Sequence, residues 1–173
     1  MSVAALSVPR ARAAWIGLGA NLGDARRTLL AAFDDIAALP GVRLVARSSL
    51  WRSAPLDADG DDYLNAVALD DTDLGAARLL AALQAVERRH GRERPYRNAP
   101  RTLDLDLLLH DDAPAPTAAL AVPHPRLHER AFVMLPMAEV CTRLGVSVEL
   151  PGRGPLGSLL PAVSGQRIER LPA

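Results

Sequence analysis

Arg101-Thr-Leu-Asp-Leu-Asp-Leu-Leu-Leu-His110 is the stretch that decides the fold. As a strand it sends Thr102, Asp104 and Asp106 to one face and Leu103, Leu105 and Leu107 to the other. The leucines can bury beneath helices, which commits this segment to a sheet with one apolar face. The aspartates stand roughly 6–7 Å apart along the strand. Two like charges that close fit either a divalent cation held between them or an ordinary solvent-facing sheet surface.

The preceding segment narrows that choice. Six arginines (88, 89, 92, 94, 97 and 101) lie between residues 88 and 101, interspersed with Gly91, Pro95 and Pro100. Glycine and proline at that density predict a loop. A cationic loop running into a two-carboxylate strand suits a polyphosphate arriving with its magnesium, because guanidinium groups grip phosphate oxygens and metal neutralises the remainder.

Outward from this site, the chain reads as one domain. Its 173 residues, 49% of them apolar, are enough for a core. Residues 1–13 are expected to be a flexible tail and 14–173 a single domain. Net charge is zero, which argues against a general nucleic-acid or membrane-surface binder. All 20 basic residues are arginine, so mechanisms built on a phosphate-binding or Schiff-base lysine are excluded. The single Cys141 offers no internal disulfide, and no signal peptide or membrane-length apolar run is read, so a cytoplasmic location is expected.

Residues 13–20 predict a strand ending in a glycine-rich turn. Gly17-Leu-Gly19 superficially matches a dinucleotide fingerprint, but Leu22 occupies the third glycine position and that reading is rejected. Asp24 is the expected cap of a helix over 25–39, with Leu29, Leu30, Phe33 and Ile36 at helical spacing. Residues 42–51 and 63–69 predict strands, and 74–89 a second helix capped by Asp73. A short edge strand is expected at 120–122, a helix interrupted by Pro136 over 126–140, and short strands at 146–150 and 168–170. The order is β-α-β-β-α-β with a C-terminal extension. That is an α+β, ferredoxin-like arrangement: an antiparallel sheet, helices on one face, and the aspartates on the open face.

Pro100-Arg-Thr-Leu-Asp-Leu-Asp106 and Pro123-His-Pro-Arg-Leu-His-Glu-Arg-Ala-Phe132, together with Glu87-x3-Gly91-Arg92, Gly17-x-Gly-x-Asn21, Pro55-Leu56 and Tyr63-Leu-Asn65, resemble the 6-hydroxymethyl-7,8-dihydropterin pyrophosphokinases of folate biosynthesis. The resemblance runs from about residue 14 to 140. It implies transfer of pyrophosphate from ATP to 6-hydroxymethyl-7,8-dihydropterin, leaving AMP; separately, a monomer with no nucleic-acid or membrane partner is expected. It also implies that Asp104 and Asp106 hold two Mg²⁺ ions and that Arg92 and Arg94 act with them in catalysis. Gln84, Arg94, Arg101, Leu107, His124 and Arg130 would contact ATP. Ser53, Ala54, Pro55, Leu56, Tyr63, Asn65 and Phe132 would form the pterin slot.

The residue types fit these expectations: a flat heteroaromatic ring is held between aromatic faces, and a side-chain amide selects its polar edge. With six aromatic residues in the whole chain, a tyrosine on the open face beside Asn65 stands out. The chain departs from the family pattern at Asn98, Ala99, Ala119, Ala121 and Pro125, and Tyr96 is the expected substitute for a missing loop aromatic. The rival expectations are a palm-like nucleotidyl transferase and a non-catalytic ligand-binding module of the same fold.

Overall fold

The computed structural model describes residues 11–56, 59–91 and 102–173. Strand β1 (Arg12–Ala20) pairs antiparallel with β4 (Tyr63–Thr72) on one side and β5 (Asp104–His110) on the other. Beyond β4 lie β2 (Val42–Arg47), β3 (Trp51–Ser53) and, outside β3, the late strand β8 (Ile168–Arg170). All these pairings are antiparallel. A separate hairpin joins β6 (Glu149–Leu150) to β7 (Gly154–Pro155), followed by the single turn α4 (Leu156–Leu159).

Helix α1 (Ala25–Ala37) starts as its sequence dictates, with the Arg27 amide donating to the Asp24 carboxylate at 3.0 Å. Its Leu29, Ala32, Phe33 and Ile36 bury against Ile16 and Leu18 of β1 and Ala66 and Ala68 of β4. Helix α2 (Ala76–Arg89) adds Leu79, Leu83 and Val86 to the same layer, beside Leu103, Leu105 and Leu107. The expected cap at Asp73 is not used: α2 begins after Gly75, and the Thr72 hydroxyl accepts the Leu74 amide at 3.0 Å instead.

The other face is not open, and this corrects the expectation of helices on one face. Helix α3 (Ala131–Leu144) packs Val133, Met134, Met137 and Val140 onto Trp15, Val67 and Leu108. It runs through Pro136 without a break; Pro136 is buried, and packing of the helix outweighs the lost backbone bond. The β1–β5 ladder shifts register after the Ile16–Leu107 pair and before Trp15–Leu109. The extra residue lets Leu107 face α1 and α2 while Leu108 and Leu109 join the α3 layer.

Other expectations shift at their edges. The first strand begins at Arg12, two residues ahead of the expected domain start, with its glycines inside the strand and not in a turn. The strand expected over 42–51 is split. The Ser48 amide and hydroxyl both bond Val67, at 2.9 Å each, and the Ser49 amide turns away to Glu139. Residues 120–122 form no strand, yet Leu120 and Val122 are buried in the α1–α2 core. No helix among the described residues is long and apolar enough to cross a membrane.

Candidate active site

Alternation on three adjacent strands builds one surface. Gly19 of β1 pairs with Asp104 on one side and Asn65 on the other; Gly17 pairs with Asp106 and Val67. Residues paired in register point to the same face, so the acidic pair and Asn65 flank a strip of β1 that carries no side chains. Two strand spacings, roughly 10 Å, separate Asp104 from Asn65 across it. Above this floor is a cavity of about 250 Å³, walled by Ser53, Ala54, Leu56 and Tyr63 on one side and by Arg130, Phe132 and Val133 at the start of α3 on the other.

The amide of Asn65 is buried, and it donates to the Ser53 hydroxyl at 2.8 Å. That leaves its carbonyl oxygen to face the cavity side of Gly19, where an added Cβ would lie 3.5 Å from it. Ser53 is held in turn by β4 and β8 on either side, through the pairs with Tyr63 and Ile168.

At the acidic end the electrostatics are mixed. Burial lowers the pKa of Arg130; Asp106 and Asp104 oppose that shift and Arg126 adds to it. Burial likewise lowers the pKa of His124 below the ordinary imidazole value, reinforced by Arg130 and Arg126 and opposed by Asp104. Its Nδ1 accepts the Arg126 amide at 3.2 Å, so in the neutral ring the proton sits on Nε2, leaving a donor there. The His124 amide donates to the Leu108 carbonyl at 2.9 Å, which ties this loop to the acidic strand.

Of the residues expected from sequence, Ser53, Ala54, Leu56, Tyr63, Asn65, Asp104, Asp106, Arg130 and Phe132 converge on this cavity. Pro55 lies between two wall residues without lining it. His124 lines a smaller neighbouring hollow with Pro125 and Arg153. Gln84 lies on the exposed side of α2 and Leu107 is buried under the α1–α2 layer, so neither lines the cavity. Arg92, Arg94 and Arg101 lie outside the described residues, as do Tyr96, Asn98 and Ala99.

Sequence reasoning missed Arg126, Gly17, Gly19, Leu108 and Val133 as lining residues. Three of these carried a signal. Gly-x-Gly shares the period of Asp-x-Asp, and glycine inside a strand marks a place where something approaches the backbone. Arg126 stands four residues before Arg130 in the Pro-His-Pro-Arg run.

The donor set bears on metal. Hard carboxylate oxygens from Asp104 and Asp106 face one cavity, and no group of three metal-ligating side chains occurs among the described residues. Two carboxylates suit Mg²⁺, which keeps waters and substrate phosphates as its remaining ligands, and not a closed structural site.

A sequence model of the family described as 7,8-dihydro-6-hydroxymethylpterin-pyrophosphokinase (HPPK) matches residues 15–142. A 2-amino-4-hydroxy-6-hydroxymethyldihydropteridine pyrophosphokinase of Pseudomonas aeruginosa is 43% identical over 159 residues, spanning 91% of this chain and 96% of the relative. One of the same name from Methylorubrum extorquens is 40% identical over 79% of this chain and 87% of its own length. Among solved structures, an HPPK-DHPS crystallised in complex with substrates superposes with a TM-score of 0.63 at 9% identity. That match covers 88% of this chain and 43% of the other, and it speaks for the fold alone.

Proposed function

This chain belongs to the 7,8-dihydro-6-hydroxymethylpterin-pyrophosphokinase family, and we propose that it carries out that family's reaction in the cavity between β3, β4, β5 and the start of α3. It is a pyrophosphokinase of folate biosynthesis, moving pyrophosphate from ATP to 6-hydroxymethyl-7,8-dihydropterin. The hydroxymethyl oxygen bonds the β-phosphorus, the bridge to the α-phosphorus breaks, AMP leaves, and the hydroxyl proton passes to solvent.

The observation that carries this reading is the shared cavity: Asp104 and Asp106 at one end, Tyr63 and Asn65 at the other, and Arg130 stacked beside Phe132 along the α3 wall between them. In the pterin half, Tyr63 and Phe132 hold the ring and Asn65 reads its polar edge, with Ser53, Ala54, Pro55 and Leu56 completing the slot. In the ATP half, Arg130 and the Nε2–H of His124 donate to phosphate oxygens, and Arg92, Arg94 and Arg101 add charge from the loop. Gln84 and Leu107, which do not line this cavity, would meet the nucleoside only beyond its edge. Asp104 and Asp106 hold magnesium, two ions in this proposal, which when bound neutralises the triphosphate and the charge developing on the bridge oxygen. The chain's own contribution is alignment of the alcohol with phosphorus and fixed charges around it, so no strong general base is required.

The strand order, with β1 and β4 central and β5 at one edge, supports the ferredoxin-like reading of the fold. One domain that takes in β1 from Arg12 onward, a monomeric state and a cytoplasmic setting complete the proposal. The test is AMP release from ATP with and without the reduced pterin, at varied Mg²⁺. AMP that appears only with the pterin supports the assignment; ATP turnover indifferent to the pterin overturns it.

A further inference from the structure

Helix α3 lacks a cap of its own. Its N-cap position is Arg130, in extended conformation, and no side chain there bonds the first turn. Serine, threonine, aspartate or asparagine is the usual occupant, and a cation at a helix N-terminus opposes the helix dipole. The missing partner arrives from 35 residues downstream: the Gln166 Oε1 accepts the Ala131 amide at 3.0 Å. The same side chain donates from Nε2 to the Glu129 carbonyl at 2.7 Å. One amide thus holds the backbone on both sides of Arg130, and Phe132 follows directly.

The neighbouring residue extends the bracket to the opposite wall. The Arg167 carbonyl accepts the Ala54 amide at 3.3 Å, and its guanidinium pairs with Asp62 at 2.7 Å, next to Tyr63. Gln166, Arg167 and Ile168 border a small gap directly behind Ser53, Leu56 and Phe132.

We propose that Gln166 is a positioning residue for the reaction, capping α3 from the C-terminal extension so that the cap position itself can carry the cavity-facing guanidinium of Arg130. This rests on the function proposed above. Supplying the cap from elsewhere resolves a local conflict: the residue that a helix start favours is not the residue that a phosphate site needs. A small drift of either Arg130 or Phe132 is enough to impair a reaction that depends on alignment.

The test compares Gln166→Met, which keeps the length and removes both hydrogen bonds, with Gln166→Glu, which keeps an acceptor for Ala131 and loses the donor. Glu169→Ala serves as the control; it breaks the exposed Arg52–Glu169 pair between β3 and β8, three residues downstream, and Glu169 lines no part of the cavity. kcat, KM for each substrate, thermal midpoint and Ala131 amide exchange are measured at a temperature where all variants are folded. Expected for Gln166→Met is a drop in kcat/KM of about tenfold, with faster Ala131 exchange and Gln166→Glu intermediate. Glu169→Ala should match the parent. Unchanged kcat/KM in Gln166→Met overturns the proposal, as does a loss that merely follows the unfolded fraction. If the parent chain itself makes no AMP, the functional reading fails separately, and Ala131 exchange still decides the clamp: faster exchange supports it and unchanged exchange overturns it.

Discussion

The guanidinium carbon of Arg130 lies 5.5 Å from the centroid of the Phe132 ring. The charge facing Asp104 and Asp106 and the aromatic wall of the cavity are therefore one stacked unit, at the start of one helix. A lysine there would lose both the planar stack and the forked grip on phosphate. Arg130→Lys is expected to lower kcat/KM by about a hundredfold, and a double-mutant cycle with Phe132→Ala should show a coupling of about 1 kcal/mol. Additive effects in steady-state kinetics would mean the stack has no functional weight.

Asp104 and Asp106 sit opposite glycines, so neither carboxylate props up a neighbouring side chain across β1. Asp104→Asn and Asp106→Asn should each cut turnover by about a thousandfold. Both variants should keep the parent's circular dichroism while their Mg²⁺-dependent ATP binding, followed by calorimetry, weakens. Undiminished turnover in both would remove the acids from the chemistry.

Glu139 of α3 holds the break between β2 and β3. Its carboxylate accepts the Ser49 amide at 3.0 Å, the Ser49 hydroxyl at 2.6 Å and the Trp51 indole at 2.8 Å. Burial pushes its pKa up, but the bonds from Ser49 and Trp51, with Arg143 nearby, bring it below the usual value. Removing the acceptor leaves three donors unsatisfied, so Glu139→Ala should destabilise the fold by about 2–3 kcal/mol in urea titration at pH 7. The difference from the parent should shrink as pH falls through the acidic range, because a depressed carboxyl stabilises only above its unfolded pKa and loses that contribution through its folded one.

Asp70 titrates the other way. It is fully buried on the α1–α2 side of β4, level with Ala14 and Leu44, and neither oxygen has a hydrogen-bond partner among the described residues. Burial, aided by the charge of Asp71, raises its pKa from 3.8 to about 7. The folded state then binds a proton that the unfolded chain has released, so stability falls as pH rises from about 4 towards 7 and stays low above it. A shift of that size corresponds to a penalty on the order of 4 kcal/mol at pH 8. Asp70→Asn should abolish this slope, gaining relative to the parent between pH 5 and pH 8 in thermal melts. Parallel pH profiles would refute it.

Period-2 alternation made β5 legible from sequence, because a strand with one buried face must alternate; the acids and leucines fall where the pattern puts them. Asp24 as a cap and the α1 stripe of Leu29, Phe33 and Ile36 were readable for the same local reason, whereas Leu30, expected in that stripe, is exposed. The second helical layer was not. That α3 packs on this face, against Trp15, Val67 and Leu108, is a tertiary outcome with no local signature. The split at Ser48–Leu50 was hidden similarly, since its cause is Glu139, some ninety residues away. Tyr63 and Asn65 could be placed by strand parity, whereas the lining role of Gly17 and Gly19 needed the register between β1 and β5.

The bare strip along β1 has an implication for inhibitors. Room for a bicyclic ring is made there by omission, with only main chain beneath it. A compound that draws its affinity from lying flat on that strip leaves the protein little to trim away in escape. Any replacement of Gly17 or Gly19 adds bulk to that floor, and under the proposed function the same bulk would stand against the pterin along with the drug.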